Sequence, residues 1–326
     1  MSPDPPQPQL DQALADSGSG RATGVLRLGE MPGGHSIDVP FTVLRGREPG
    51  PVVWIMAARD GDEVHATLVA MDLQRRLEPS ALRGSLIVMP IGNVPGFGVL
   101  SREHPLGQTY LEREMDERFF EILSARGGSF IDLHSAGVPS DTVDWTLYAD
   151  GDETAIAMAR AYGSPFMYAH RIGAGEGLDA GLLDGALFAR LSRAGIPSIL
   201  IEAGGGLPPS PETVQRAVSG VENVLLALGS IPGGPAPTQE PEVLHGFRIV
   251  APTRGGLLEE VARLGDRVES TQVLGRILDP YGDLVEEILA PVGGVVLTVP
   301  ANPAAHRHLG IRDRLGVERI GGDRAH

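Results

Sequence analysis

The sequence contains neither cysteine nor lysine, and each absence removes a class of chemistry. Without cysteine there can be no disulfide, no thiolate metal ligand and no cysteine nucleophile. Without lysine there can be no Schiff base, no P-loop lysine and no lysine-tethered prosthetic group. The 27 basic residues are therefore all arginine, and 42 acidic residues outnumber them. The formal charge of −15 argues against nucleic acid and against an anionic membrane surface as partners.

Long apolar runs are also missing. No stretch approaches the length of a membrane span, and the N-terminal residues lack the charged start and apolar core of a signal peptide. The prediction is therefore a cytoplasmic protein. A hydrophobic content of 42% and a charged content of 21% are typical of a soluble globular chain.

The composition changes along the 326 residues and predicts four segments. Residues 1–20 are rich in Pro, Gln and Ser and are predicted to be disordered. Residues 21–230 alternate apolar runs with helical periodicity, which is typical of an α/β domain with helices on both faces of a sheet. A Pro/Gly-rich linker follows at 231–241. Residues 242–326 hold short β-branched segments separated by glycine, and they predict a small β-barrel-like module.

Periodicity and turn residues also place the individual elements of the α/β domain. The predicted strands are 23–29, 37–45, 52–57, 85–91, 129–133, 143–149, 166–170 and 198–202. The predicted helices are 63–77, 111–125, 153–163, 181–194 and 211–228.

Acidic and imidazole side chains follow two of the predicted buried strands. Asp60 and Glu63 stand three residues apart after the first, and His134 follows the second. Because ligands bind beyond the carboxyl ends of parallel strands, these three side chains are candidates for one catalytic metal site. The alternative is structural: Asp60 belongs to a turn, Glu63 opens a helix near its positive end, and His134 is a buried, hydrogen-bonded histidine.

Two further side chains have open interpretations. Glu202 ends a strand before Gly204-Gly205-Gly206 and is either a general base and acid or a carboxylate bonded to the glycine amides. His65 is either a substitute metal ligand or a solvated histidine on a helix surface.

Residues from about 50 to 300 resemble the succinylglutamate desuccinylase/aspartoacylase family, relatives of the zinc carboxypeptidases. Five features in the family's order carry the resemblance. Arg59-Asp60-Gly61-Asp62-Glu63 stands in place of the family's Gly-x-His-Gly-Asp/Asn-Glu, and Asn93 to Phe97 with Ser101-Arg102 stands in place of an Asn-Pro segment and a Ser-Arg. Asp132-Leu133-His134 matches the Asp-Leu-His motif, Glu202-Ala203-Gly204 matches Glu-x-Gly, and residues 245–300 match a biotinyl/lipoyl-like module.

The resemblance implies a mixed sheet sandwiched by helices, as in zinc carboxypeptidases, and the hydrolysis of an N-acyl bond in a small amide. It also implies a role for each of the site residues. Asp60, Glu63 and His134 would hold one zinc ion per chain. Glu202 would shuttle the proton and Arg102 would polarise the carbonyl.

The chain departs from the family pattern at two places. Asp60 stands where the family has histidine, and a harder ligand set tolerates Mn²⁺ or another divalent metal better. The family's Asp-Leu-Asn-Arg anchor for the substrate carboxylate is missing, and its nearest remnants end at Arg113 and Arg118. Both arginines fit equally well on the solvated face of an amphipathic helix. Arg113 is the candidate that would bind the substrate, together with Asn93. The C-terminal module lacks the lysine of a swinging-arm carrier.

The predicted function is thus a metal-dependent deacylase of a small N-acylated amino acid or related metabolite. We also expect that the chain can form a homo-oligomer. One alternative is a catalytically degenerate member that binds a ligand or partner. Another is a metallohydrolase that cleaves an ester or an N–N-linked acyl group instead.

Overall fold

The structure is a computed structural model that describes residues 8–15, 20–31, 33–103, 110–173, 183–305 and 315–320. These residues form a mixed α/β fold, as the sequence predicts. The α-helices within them are α1 (Pro8–Ala15), α2 (Val64–Arg76), α3 (Val94–Phe97), α4 (Tyr110–Arg126), α5 (Glu153–Tyr162), α6 (Leu187–Arg193) and α7 (Pro211–Ala227), with a 3₁₀ turn at Pro79–Ala81.

The strands within the described residues are β1 (Gly20–Glu30), β2 (Ser36–Arg45), β3 (Glu48–Ala57), β4 (Arg83–Met89), β5 (Ser129–His134), β6 (Ser140–Thr142), β7 (Trp145–Ala149), β8 (Phe166–His170), β9 (Ser198–Glu202), β10 (Glu242–Val250), β11 (Gly256–Glu260), β12 (Arg267–Val268), β13 (Val273–Leu278), β14 (Leu284–Leu289), β15 (Gly294–Pro300), β16 (Ala304–Ala305) and β17 (Leu315–Ile320).

The large sheet has a parallel centre. Its order is β1-β2-β4-β3-β5-β9-β7-β8-β10-β17-β15-β12, with β6 paired to β15. β4, β3, β5 and β9 run parallel to one another, whereas β2 and β7 run antiparallel to their neighbours β4 and β9. The carboxyl ends of β3, β5 and β9 therefore meet at one edge of the sheet.

Two hydrophobic cores cover the faces of this sheet. One core contains Val69 of α2, Met158 of α5 and Val221 of α7. The other contains Leu10 of α1, Phe119 of α4 and Phe188 of α6. Helices thus cover both faces, and each strand alternates its side chains between the two cores.

Most predicted elements are confirmed, and those at 166–170 and 198–202 match to the residue. The prediction of a disordered N-terminus is wrong for residues 8–15, which form α1. Leu10 is fully buried, and Gln9 Oε1 accepts a hydrogen bond from Val25 N at 2.9 Å. Arg45 donates to Leu14 O and Arg126 pairs with Asp11. The Pro- and Gln-rich composition concealed this helix, because its contacts are with distant segments of the chain. The predicted helix 181–194 is observed only as α6, and residues 174–182 lie outside the described residues.

The C-terminal residues are rich in strands, as predicted, but they are not separate from the large sheet. β10 pairs in parallel with β8, and β15 pairs antiparallel with β6. A second, four-stranded sheet has the order β14-β13-β11-β16. The two sheets enclose a third core that contains Leu274, Ile288 and Val296. No α-helix among the described residues is long and apolar enough to cross a membrane.

Candidate metal centre

The strand register brings the predicted site residues to one face and one edge of the sheet. Phe130 of β5 and Leu200 of β9 belong to the same core, so His134 and Glu202 point to that face by the two-residue period of a strand. His134 and Glu202 are also direct register partners. The predicted proximity of these two side chains follows from adjacent parallel strands.

The loop after β3 is held on two sides by backbone hydrogen bonds. Asn93 N donates to Ala58 O at 2.7 Å, and Gly61 N donates to Arg102 O at 3.1 Å. Ala58 has a φ of 48°, a strained conformation for a residue with a side chain. The turn is completed where Glu63 N donates to Asp60 O at 3.2 Å, immediately before α2. This loop fixes Asp60 and Glu63 relative to each other.

Asp60, Glu63 and His134 converge as predicted. One potential ligand atom from each lies within 4.8 Å of the others. His134 Nδ1 is 3.5 Å from Asp60 Oδ2 and 3.1 Å from Glu63 Oε2. A tetrahedral site with bonds of about 2.1 Å separates its ligand atoms by about 3.4 Å. The observed spacings therefore fit a small divalent metal.

The chemistry of the donors also fits a metal. Glu63 is fully buried, and among the described residues its Oε2 accepts no hydrogen bond of good geometry, although His134 Nδ1 lies 3.1 Å away. A buried carboxylate oxygen without a donor is unfavourable unless a cation satisfies it. The set of two carboxylates and one imidazole is compatible with zinc and, because two ligands are hard oxygens, with manganese.

Asp132 is a site residue whose role was not predicted, although its motif was recognised. It is fully buried, and its Oδ1 lies 3.3 Å from His134 Nε2. A carboxylate on the second ring nitrogen orients a ligating histidine and leaves Nδ1 free for the metal. The i, i+2 spacing of Asp132 and His134 on a strand is the signal that could have assigned this role.

Arg59 and Asp116 form a second unpredicted part of the site. Arg59 Nη2 is 2.8 Å from Asp116 Oδ2, and Arg59 Nη1 is 4.0 Å from Asp132 Oδ2. Burial by itself would lower the pKa of Arg59, but Asp116 and Asp132 raise it. The guanidinium is thus a fixed positive charge beside the candidate ligands.

Arg102 contacts two of the candidate ligands directly. Its Nη2 lies 2.6 Å from Asp60 Oδ2 and its Nη1 lies 3.4 Å from Glu63 Oε1. Burial alone would raise the pKa of Asp60, but Arg102 and then His134 hold it well below its usual range. The sequence placed Arg102 at the site, and the structure adds that it neutralises part of the ligands' negative charge.

The surroundings raise the pKa of Glu63, Glu202 and His134, but for different reasons. Burial raises the pKa of Glu63 and also that of Glu202, where His134 and Arg102 oppose the shift. Burial would lower the pKa of His134, but Glu63 and Asp132 raise it well above its usual value. A raised pKa makes the Glu202 carboxylate a stronger base than an ordinary glutamate, which is the direction that its predicted role favours.

A cavity of about 270 Å³ opens beside Asp60 and Arg102. Both candidate substrate-binding residues line it, and Arg113 is exposed, with no hydrogen-bond or ion-pair partner among the described residues. Asn93 is buried, and its Oδ1 accepts a hydrogen bond from Gly96 N at 3.0 Å, which caps α3. The contacts of Asn93 are those of a structural cap, whereas Arg113 faces the cavity.

His65 is not a solvated histidine, contrary to one of its two interpretations. It is 2% exposed, and its Nε2 accepts a hydrogen bond from Ser210 N at 3.0 Å. It is not part of the metal-ligand group found among the described residues. The amphipathic pattern of α2 could not show this, because the loop that covers His65 comes from a distant part of the chain.

Comparison with known proteins agrees with this geometry. The family model of the succinylglutamate desuccinylase/aspartoacylase catalytic domain matches residues 49–121. An N-alpha-acetyl-L-2,4-diaminobutyric acid deacetylase of Halomonas elongata is 27% identical over 269 residues, which cover 75% of each protein. The chain is thus similar to the succinylglutamate desuccinylase/aspartoacylase family, whose catalytic-domain model it matches over residues 49–121.

Solved structures of the family have the same fold. A succinylglutamate desuccinylase/aspartoacylase of Rhodobacter sphaeroides aligns with a TM-score of 0.77 at 22% identity, covering 93% of this chain and 97% of the other. The product-bound ectoine utilization protein of Ruegeria pomeroyi aligns with a TM-score of 0.76 at 21% identity, covering 93% and 96%. The agreement extends over the C-terminal strands as well as the α/β part.

Proposed function

We propose that the protein is a metal-dependent deacylase that hydrolyses the amide bond of a small N-acyl amino acid. The convergence of Asp60, Glu63 and His134 at the sheet edge, with Glu202 in register beside them, is the observation that carries the proposal. The deacetylase of Halomonas elongata, whose substrate is an N-acetylated amino acid, supports the same class of reaction.

Each residue at the site has a defined part. Asp60, Glu63 and His134 would hold one zinc or manganese ion, which supplies a Lewis acid when bound. Glu202 takes a proton from the attacking water and returns it to the leaving nitrogen. Asp132 keeps His134 in the tautomer that presents Nδ1 to the metal. Arg102 stabilises the negative charge that develops on the carbonyl oxygen.

Substrate binding is assigned to the cavity beside Arg102. Arg113 would anchor the substrate carboxylate, because a guanidinium binds a carboxylate through two parallel hydrogen bonds. Asn93 shapes the wall through its cap on α3. A volume of about 270 Å³ suits a small ligand such as an acyl amino acid.

A direct test compares the wild type with Glu202→Gln and a matched control, Glu117→Gln, on exposed α4 surface. The substrates are N-acetyl-2,4-diaminobutyrate, N-acetylaspartate and N-succinylglutamate. Glu202→Gln should keep the metal and lower kcat by roughly 10²–10⁴-fold, the range for a positioned acid and base. Glu117→Gln should match the wild type. If Glu202→Gln turns over normally, the assignment of the proton shuttle is incorrect.

One observation favours a second candidate function, a family member that binds a ligand without catalysis. Arg102 pairs with both Asp60 and Glu63, so the protein itself neutralises two carboxylates of the ligand set. Metal analysis of protein purified without added metal separates the two functions. One equivalent of zinc or manganese that is lost in His134→Ala supports the enzyme. Protein that binds neither metal at millimolar concentration supports the binding function.

Cytoplasmic location and self-association stay predictions from the sequence.

A further inference from the structure

His65 lies within the site region but has no part in the proposed reaction. It is the second residue of α2, two residues after Glu63, and its side chain is buried. Because Nε2 accepts the hydrogen bond from Ser210 N, this nitrogen carries no proton. Its partner, Ser210, caps the N-terminus of α7 through its own side chain. One imidazole therefore connects the starts of two helices.

The edge of the His65 ring also lies close to the backbone that follows Glu202. A Cβ atom built on Gly204 would lie 3.2 Å from His65 Cδ2 and 2.7 Å from Thr213 Cγ2. Gly204 has a φ of 67°, which favours glycine. The glycine is thus enclosed, and the ring lies directly against the segment that begins after Glu202.

The opposite side of this segment is bonded to the chain that follows His134. Ala203 N donates to His134 O at 3.1 Å, and Ala136 N donates to Gly204 O at 2.8 Å. The segment 203–206 is therefore held between His65 on one side and the carboxyl end of β5 on the other. Removing the His65 side chain leaves Thr213 as the remaining neighbour of Gly204 on the first side.

We propose that His65 is a positioning residue for Glu202, which it holds in place through Gly204 and Ser210. The inference rests on the proposed function, because it takes Glu202 as the proton shuttle. A buried side chain that fixes a catalytic group by packing and one hydrogen bond is what a precise acid and base requires. Removal of the His65 side chain should therefore lower kcat, because Glu202 acts in turnover and neither holds the metal nor anchors the substrate.

The test is a double-mutant cycle on the full chain. His65→Leu and His65→Gln are made in the wild type and in Glu202→Gln. His65→Leu should lower kcat roughly 10–100-fold, the loss expected for a catalytic group misplaced by about 1 Å. KM and the affinity for zinc should change by less than about threefold. His65→Gln, whose amide oxygen can accept from Ser210 N, should recover most of kcat.

The cycle distinguishes positioning from general structural damage. If His65 acts through Glu202, His65→Leu causes no further loss in the Glu202→Gln background. His170→Leu is the matched control, because His170 is also buried and hydrogen-bonded, to Asp184 at 2.9 Å, and lies at the opposite end of the strands. It should lower the melting temperature without lowering kcat. His65→Asn, too short to reach Ser210, replaces His65→Leu if the latter does not fold.

Two results would overturn the inference. One is an equal loss of kcat from His65→Leu in both backgrounds, which shows independent effects. The other is a loss of zinc affinity in parallel with kcat, which shows damage to the metal centre through Glu63. A failure of the proposed function is recognised separately, because the wild type itself would then turn over none of the three acyl amino acids.

Discussion

Replacement of Gly61 by alanine tests the geometry of the ligand loop most directly. Gly61 separates Asp60 from the other acidic residues of the loop, and its α-carbon faces a neighbouring backbone segment. A Cβ atom there would lie 2.3 Å from Gly96 C, 2.4 Å from Phe97 N and 2.5 Å from Ser101 O. All three are backbone atoms, so no side chain can rotate away to make room.

The size of the effect follows from these distances. Non-bonded carbon atoms rest at about 3.5–4.0 Å, so one of the two segments must move by about 1 Å. Metal sites tolerate changes in ligand distance of only about 0.2 Å. We therefore expect Gly61→Ala to lower metal affinity and kcat/KM by at least about 100-fold. Overpacking should also lower the free energy of unfolding by about 1–3 kcal/mol.

The control is Gly98→Ala on the neighbouring segment. A Cβ there meets no described atom closer than 3.6 Å, Gly98 is exposed, and its φ of −61° suits alanine. Zinc affinity by calorimetry, kcat/KM and thermal unfolding are measured for both variants. Gly98→Ala should match the wild type in all three. The reasoning is refuted if Gly61→Ala binds zinc as tightly as Gly98→Ala, because the loop then adapts without moving its ligands.

Three other substitutions test the metal-ligand set, the cavity and the stability that Asp72 of α2 contributes. Asp60→His should raise the ratio of zinc to manganese affinity roughly tenfold, because imidazole is a softer donor than carboxylate; an unchanged ratio in parallel titrations would show that Asp60 is not a ligand. Arg113→Ala should raise KM about tenfold at unchanged kcat through the loss of one charge-assisted hydrogen bond, and an unchanged KM would exclude Arg113 as the anchor. Burial alone would raise the pKa of Asp72, but Gln215, Arg75 and Arg76 lower it, so its contribution to stability is present at neutral pH and lost as pH falls below about 4. Asp72→Asn should therefore lower the free energy of unfolding by about 1 kcal/mol at pH 7 and by progressively less in acid. Denaturant unfolding measures this difference from the wild type at pH 7 and at pH 3, and an equal difference at both pH values would contradict the prediction.

The sequence alone was sufficient for the centre of the molecule. Apolar runs at 52–57, 129–133 and 198–202 predict parallel strands, and polar residues at their carboxyl ends predict a shared site. Adjacent parallel strands bring such residues together whatever the surroundings, because strand direction and the two-residue period are local properties. The convergence of Asp60, Glu63 and His134 therefore follows from short segments of the chain.

Contacts between distant segments could not be predicted in this way. Arg59 meets Asp116 across 57 positions, and His65 meets Ser210 across 145. Such pairs depend on how helices and loops pack over the sheet, and a single sequence carries no periodic signal for them. The same reason explains α1, whose contacts are with distant segments of the chain, and β10, which joins the large sheet instead of forming a separate module.

What the sequence by itself determined is the type of chemistry and its location. The absence of cysteine and lysine left carboxylates, imidazole and arginine as the available groups, and strand ends placed them together. Only the tertiary structure decided how these groups are held and charged. Arg102 contacts two candidate ligands, Asp132 lies beside the ring of His134, and His65 lies beside the segment after Glu202. These relations depend on side-chain packing and on burial, which exist only once the chain has folded.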